Sequence, residues 1–235
     1  MTKQILGLVI LLAFTATLHS QDSRVRLRIE SNIGYSDRFF INDGSVPEPV
    51  VAVWEGIEKP KVAYSIGTLV ELKLTERLSI QAGGRYVDWG YQTDKTEFVS
   101  TVVFSQLPEF TETKSQNRYL EVPIRFGYNI PLGSSQLYLT GGWYPSFNVS
   151  NNMVIKRYFG SRVEVERTTD NSSQHPYRYI NMIGEFGIGI QKMLSEKLGF
   201  AIGPSIRTQS FGIREDVPLN RAMFFYGLSG AILFQ

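Results

Sequence analysis

Eight stretches of the chain alternate apolar and polar residues, and the connections between them alternate long and short. The clearest stretch, over 119–130, sets Leu120, Val122, Ile124, Phe126, Tyr128 and Ile130 on one face and Glu121, Arg125 and Asn129 on the other. A period of two predicts β-strands with one face in an apolar medium and the other against water or a charge partner. In a soluble sandwich the apolar face is the core, so alternation alone does not choose between core and lipid.

The pattern predicts strands over about 26–36, 62–74, 78–91, 119–130, 136–147, 179–191, 198–211 and 221–234. Two places are irregular. Val87, Trp89 and Tyr91 fall on the inward parity of the third strand, which predicts a bulge near Gly83 and Gly84 or an extension beyond the membrane. Pro123 cannot donate to a ladder, so it is expected at a bulge or an irregular point of pairing. Connections after the second, fourth and sixth strands are short, those over 37–61, 92–118 and 148–178 are long, and 212–220 is intermediate.

This segregation predicts an all-β fold, an eight-stranded antiparallel up-and-down transmembrane β-barrel with periplasmic termini and long extracellular loops. Aromatic residues fall in two bands, as amphipathic rings do at headgroup level. Tyr35, Tyr64, Tyr86, Trp89, Tyr119, Trp143, Tyr179, Phe211 and Phe224 lie toward the long loops, and Tyr128, Tyr138, Phe200 and Phe234 toward the short turns.

Residues 1–20 read as a signal peptide, with Lys3 before an apolar run over 5–14, leaving 21–235 as one outer-membrane β-barrel domain. The run is well short of the roughly 20 residues that a transmembrane helix needs. The chain has no cysteine, which closes lipoprotein anchoring, disulfides and thiolate metal sites. Formal net charge is +2, and +1 once Lys3 is removed, far from the basic footprint of a nucleic-acid binder. No cluster has metal-ligand spacing, and no cofactor is expected.

The inward parity carries Glu71, Arg85, Glu121, Arg125, Glu185 and Arg207, with Arg28, Glu30 and Lys73 nearer the turns. An eight-stranded bore is just wide enough for side chains to fill it, so these groups are expected to pair as a structural plug; an ion-selective path or a carboxylate active site is the alternative. Two long loops carry strand-like arms, 97–104 with 109–113 and 153–159 with 162–168, which predict a raised rim exposing Val102, Val103, Phe104, Val154, Ile155 and Phe159 to a partner. The same segments could instead pack on each other and on residues 50–54. Lys156, Arg157, Arg162, Arg167 and Arg178 could meet lipopolysaccharide phosphates. Catalysis finds little support, because the one histidine beyond the signal, His175, sits in the longest loop beside Ser172 and Ser173.

The signal followed by Gln21, the strand Tyr119-Leu120-Glu121-Val122-Pro123-Ile124-Arg125-Phe126-Gly127-Tyr128 and the closing run over 227–235 resemble the small outer-membrane β-barrel proteins of Bacteroidota, including PorT-like proteins. In such barrels the assembly signal ends on a terminal aromatic, whereas here Gln235 follows Phe234. The resemblance implies a Gram-negative outer membrane, outer-membrane lipid as surroundings, and a role in secretion or surface assembly. The leading expectation is a non-catalytic scaffold or accessory subunit whose loops bind an envelope or secreted protein. A narrow pore or transporter comes second, and a lipid-modifying barrel enzyme or a soluble lipocalin-like carrier follows.

Overall fold

The computed structural model describes residues 24–97, 107–169 and 176–235; the expected signal over 1–20 lies outside them. Twelve strands and one helix form in chain order: β1 (Val25–Asn42), α1 (Glu48–Ile57), β2 (Glu58–Lys73), β3 (Leu78–Trp89), β4 (Tyr91–Thr93), β5 (Thr96–Glu97), β6 (Phe110–Glu121), β7 (Ile124–Leu132), β8 (Ser135–Phe159), β9 (Arg162–Thr169), β10 (Ile180–Met193), β11 (Leu198–Gln209) and β12 (Leu219–Phe234). Neighbours run β1, β12, β11, β10, β8, β7, β3, β2 and return to β1, so the antiparallel sheet closes on itself. Closure leaves no unpaired edge in the wall.

The predicted number of strands was eight, and the described residues form twelve. The excess has a local cause. β4, β5 and β9 belong to the long connections, and Pro123 divides one stave into β6 and β7. Both halves pair β3 on one side and β8 on the other, and the register is the same above and below the break. Pro123 faces the bore and accepts from the Gly83 N–H at 3.2 Å, while the Val122 N–H donates to Pro145 at 3.1 Å. Its missing N–H thus interrupts the ladder without shifting it. The actual register shift falls at Arg118/Tyr119.

No bulge forms at Gly83 and Gly84; β2 and β3 stay paired straight through them. Val87 and Trp89 keep the inward parity and are fully buried within the barrel. Tyr119 and Tyr138, assigned by sequence to the aromatic bands, also turn inside. Tyr35, Tyr64, Trp143, Tyr179, Phe211, Tyr128, Phe200 and Phe234 remain outward. Together with Ile33, Ile66, Phe126, Ile188, Ile202 and Leu228 they make the outer face apolar. Only lipid can take such a face on a chain whose polar groups point inward.

Strands span a membrane with about 9–11 residues. β8 has 25 and β1 has 18, so the wall continues well past the bilayer on the side of the long connections. There β6, β8 and β9 pair side by side as a continuation of the wall. The all-β expectation missed α1 in the first of these connections. Proline at its start and Glu48 in its first turn favour its N-terminus, while the Arg38 guanidinium donates to the Trp54 and Glu55 carbonyls at its C-terminal end, both at 3.3 Å.

Gly203 and Gly189 allow β10 and β11 to approach closely. A Cβ on Gly203 falls 2.0 Å from the Ile188 carbonyl oxygen and 2.4 Å from the Gly189 Cα, both backbone atoms. Gly203→Ala is therefore expected to destabilise the barrel by about 1–3 kcal/mol through forced backbone movement. Urea unfolding in detergent, compared with a change at Gly84 where a Cβ meets open space, measures it.

Candidate functional site

Two features are candidates for function, the filled bore and the rim above it. Each bore residue is delivered by strand parity, and the bore has three layers. Nearest the short turns, Arg28 donates to Glu71 at 3.1 Å and to Gln191 at 3.2 Å, and its guanidinium lies 5.6 Å from the centre of the Tyr138 ring. Glu71 therefore has its own partner and stands apart from the other five charges singled out by sequence.

The middle layer holds three carboxylates and three guanidiniums. Arg85 reaches Glu185 with both terminal nitrogens, at 2.9 and 3.3 Å. Arg125 binds Glu30 at 2.7 Å, Glu185 at 2.9 Å and the Gln81 side-chain carbonyl at 2.9 Å. Arg207 reaches Glu121 at 3.4 Å, and Arg85 lies 3.6 Å from both Glu30 and Glu121. The Tyr144 hydroxyl donates to Glu185 at 2.6 Å. All are buried. Buried charges are tolerable when paired and hydrogen-bonded, and this layer is neutral in sum. Asn32 extends it by donating to Ser65 at 3.0 Å and accepting from Ser205 at 3.3 Å.

Above the charges the bore is apolar. Ala63, Val87, Trp89, Tyr119, Tyr144, Ile183, Ile213, Met223 and Phe225 form one buried cluster. Arg207 joins the two layers, its guanidinium 4.3 Å from the Phe225 ring centre and 5.4 Å from that of Trp89. Among the described residues its Nε and Nη2 find no hydrogen-bond acceptor, and the rings take that place. Two further buried ionic groups lie toward the long connections. Lys61 is ion-paired with Asp88 and donates to the Trp89 carbonyl at 2.7 Å, and Glu58 receives Arg38 at 2.9 Å and Arg221 at 2.5 Å.

Sequence parity puts Glu30 near the turns and Gln81 inward beside Arg85, and does not single out Tyr144, Lys61 or Glu58. Tyr144 carries the inward parity, which is the available signal. Lys61 and Glu58 lay in what read as loop.

On the rim, Val154, Ile155 and Phe159 are half-buried rather than exposed, because β8 is the central strand between β6 and β9. Open apolar residues among those described include Val163 and Val165 on β9, and Val50, Val53 and Trp54 on α1. Val102, Val103 and Phe104 lie outside the described residues, as do Ser172, Ser173 and His175. Three of the basic rim residues already have carboxylate partners: Lys156 with Glu112 at 3.2 Å, Arg157 with Glu166 at 2.5 Å and Arg162 with Glu164 at 2.9 Å. Among the described residues no three His, Asp or Glu side chains gather as a metal site, and no helix is long and apolar enough to cross a membrane.

A closed antiparallel sheet, apolar outside and ionically paired inside, defines a β-barrel of the outer membrane. The chain belongs to the family described as the outer membrane protein beta-barrel domain, whose model matches residues 19–208, and is accordingly an outer-membrane protein. Among solved structures it is similar to Ail, the attachment invasion locus protein of Yersinia pestis, at 13% identity over 90% of this chain and 99% of that one, with a TM-score of 0.38. It is similar to Neisserial surface protein A at 7% identity over 91% and 98%, with a TM-score of 0.43. It is also similar to the outer membrane protease OmpT of Escherichia coli at 7% identity over 90% and 96%, with a TM-score of 0.40. No curated protein sequence matches it.

Proposed function

We propose that the chain is an eight-staved, non-catalytic barrel of the outer membrane that acts through its raised rim, as a scaffold or accessory subunit for another envelope or secreted protein. Counting β6 and β7 as one stave, the closed ring passes through eight. In this reading the termini are periplasmic, the rim is extracellular, and lipopolysaccharide surrounds the outer end of the wall. The resemblance to PorT-like proteins of Bacteroidota suggests secretion or surface assembly as the setting.

The observation that carries the reading is the contrast between the two candidate sites. The bore is filled in successive layers by paired charges and packed aromatic rings, while β6, β8 and β9 stand beyond the length a bilayer requires. Purification of the tagged protein from outer membranes in mild detergent tests it. A partner recovered in stoichiometric amount and lost when residues 153–168 are deleted is the expected result; a barrel that purifies alone with and without the deletion overturns it.

A narrow pore is the second reading, favoured by the charged middle layer. Planar-bilayer recording separates the two, and the filled bore predicts no conductance above the lipid baseline.

A further inference from the structure

The rim hairpin ends in an open sheet edge. β9 pairs β8 along one side, and among the described residues no strand pairs its other side. The hairpin turns through Gly160 and Ser161, with Gly160 at φ 53°, and Phe159 faces Arg162 across the turn. In a two-residue hairpin loop that flanking pair exchanges both backbone hydrogen bonds, and the exchange recurs at every second residue. Val163, Val165 and Arg167 therefore direct their N–H and C=O groups away from β8. Val163 and Val165 are more than half exposed. Such an edge is a template for another strand, and its charges decide which strand is admitted.

We propose that β9 pairs antiparallel with β9 of a second copy of this chain, in the register that sets Glu164 opposite the partner's Glu164. Val163 then faces the partner's Val165 and exchanges both hydrogen bonds with it, and the two-fold axis repeats the pair. On the other face Arg162 meets the partner's Glu166, again twice. The single like-charge contact, Glu164 with the partner's Glu164, is flanked by the Arg162 of each copy, which already holds its own Glu164 at 2.9 Å. Sliding the pairing by two residues sets Glu164 against the partner's Glu166 twice and dissolves both Arg162 contacts. Sliding it the other way sets Arg162 against the partner's Glu164 twice but leaves Val163 with the partner's Val163 as the one hydrogen-bonded pair, because Val165 then meets the turn at Ser161, so charge and pairing length together select one register.

The pairing also constrains how the two barrels meet. Barrel strands tilt about 35–45° from the barrel axis, so two copies in one membrane cross their β9 strands, whereas copies in facing membranes align them. The contact joins two barrels mouth to mouth; that it joins two cells rests on the extracellular orientation of the rim proposed above.

Because the chain has no cysteine, Glu164→Cys introduces a single thiol. A pair directly opposite but not hydrogen-bonded has Cα atoms about 4.5 Å apart, within the range a disulfide spans. Full-length protein at micromolar concentration in mild detergent is oxidised and run on a non-reducing gel beside Ser45→Cys, an exposed rim position away from β9. Disulfide dimer at least about tenfold above Ser45→Cys is expected, because pairing raises the local thiol concentration. Adding Val165→Pro, which removes one outward N–H from each copy and none from the β8 ladder, is expected to lower the yield about tenfold. Equal yields from the two thiols, or a yield indifferent to Val165→Pro, overturn the proposal. A disulfide formed instead with a co-purifying protein overturns self-pairing and assigns the edge to that protein. Detergent solution imposes no membrane orientation, so failure here leaves the reading of the rim as a partner surface standing.

Discussion

Replacing Arg125 with methionine is expected to cost the folded barrel about 3–5 kcal/mol, the range for removing one member of a buried ionic network. Arg125 holds Glu30, Glu185 and the Gln81 side-chain carbonyl together, and all of them are cut off from solvent. Its loss leaves three carboxylates facing Arg85 and Arg207 alone. The cost comes from stranded negative charge, since the methionine fills much of the vacated volume. The double variant Arg125→Met/Glu30→Gln restores neutrality and is expected to recover more than half of the loss. Urea unfolding of the four members of this cycle in one detergent, followed by tryptophan fluorescence, measures the coupling. A double variant no more stable than Arg125→Met shows that the two charges act independently and removes the neutral layer as an explanation of the barrel's stability.

Trp89→Ala is the second large effect, also about 3–5 kcal/mol, and it has a different origin. The Trp89 side chain is fully buried inside the barrel, tilted against Phe225 at a centroid distance of 6.4 Å and with the Arg207 guanidinium stacked against its ring. Alanine leaves a cavity that closed, rigid staves cannot collapse to fill. It also strips Arg207 of one of the two rings on which its unpaired nitrogens rest. The apolar layer is opened while the charged layer beneath stays intact, so the variant is expected to be less stable and still not to conduct in planar bilayers. Conductance from Trp89→Ala, with the ionic layer whole, shifts the weight to the pore reading and makes the apolar cluster its gate.

Much of the barrel was legible in the sequence because a strand has a period of two, so each alternation states which residues share a medium. Ile124, Phe126 and Tyr128 were outward and Glu121, Arg125 and Asn129 inward on that evidence, and the burial along β7 alternates accordingly. The long and short connections were readable for the same reason, because a strand ends where the alternation does. What misled was the assumption that the bore is polar throughout. Val87 and Trp89 obey strict parity, yet they look like a slip in the sequence, since an apolar residue on the inward side has no expected neighbour there. Tyr119 and Tyr138 were assigned to lipid on residue type, against their parity.

Ion-pair partners were not legible. Glu30 and Arg125 are 95 positions apart and meet across the bore, at a height set by the stagger of the staves. Nothing along either strand encodes that stagger, which closure of the sheet imposes. The rim was half legible. The turn at Gly160 and Ser161 announced a hairpin, but the burial of Val154, Ile155 and Phe159 depended on β6 arriving on the other side of β8, a contact between distant segments.

By itself, then, the sequence determined that this chain alternates, that its polar and apolar residues take opposite faces, and that its connections segregate to two ends, because each of these follows from local strand geometry. Only the tertiary structure decided that the ring closes through β1 and both its neighbours, that three carboxylates and three guanidiniums share one layer under an apolar cap, and that no strand among the described residues pairs the outer side of β9. Those depend on which strands become neighbours and at what register, and register is a property of the closed sheet rather than of any strand in it.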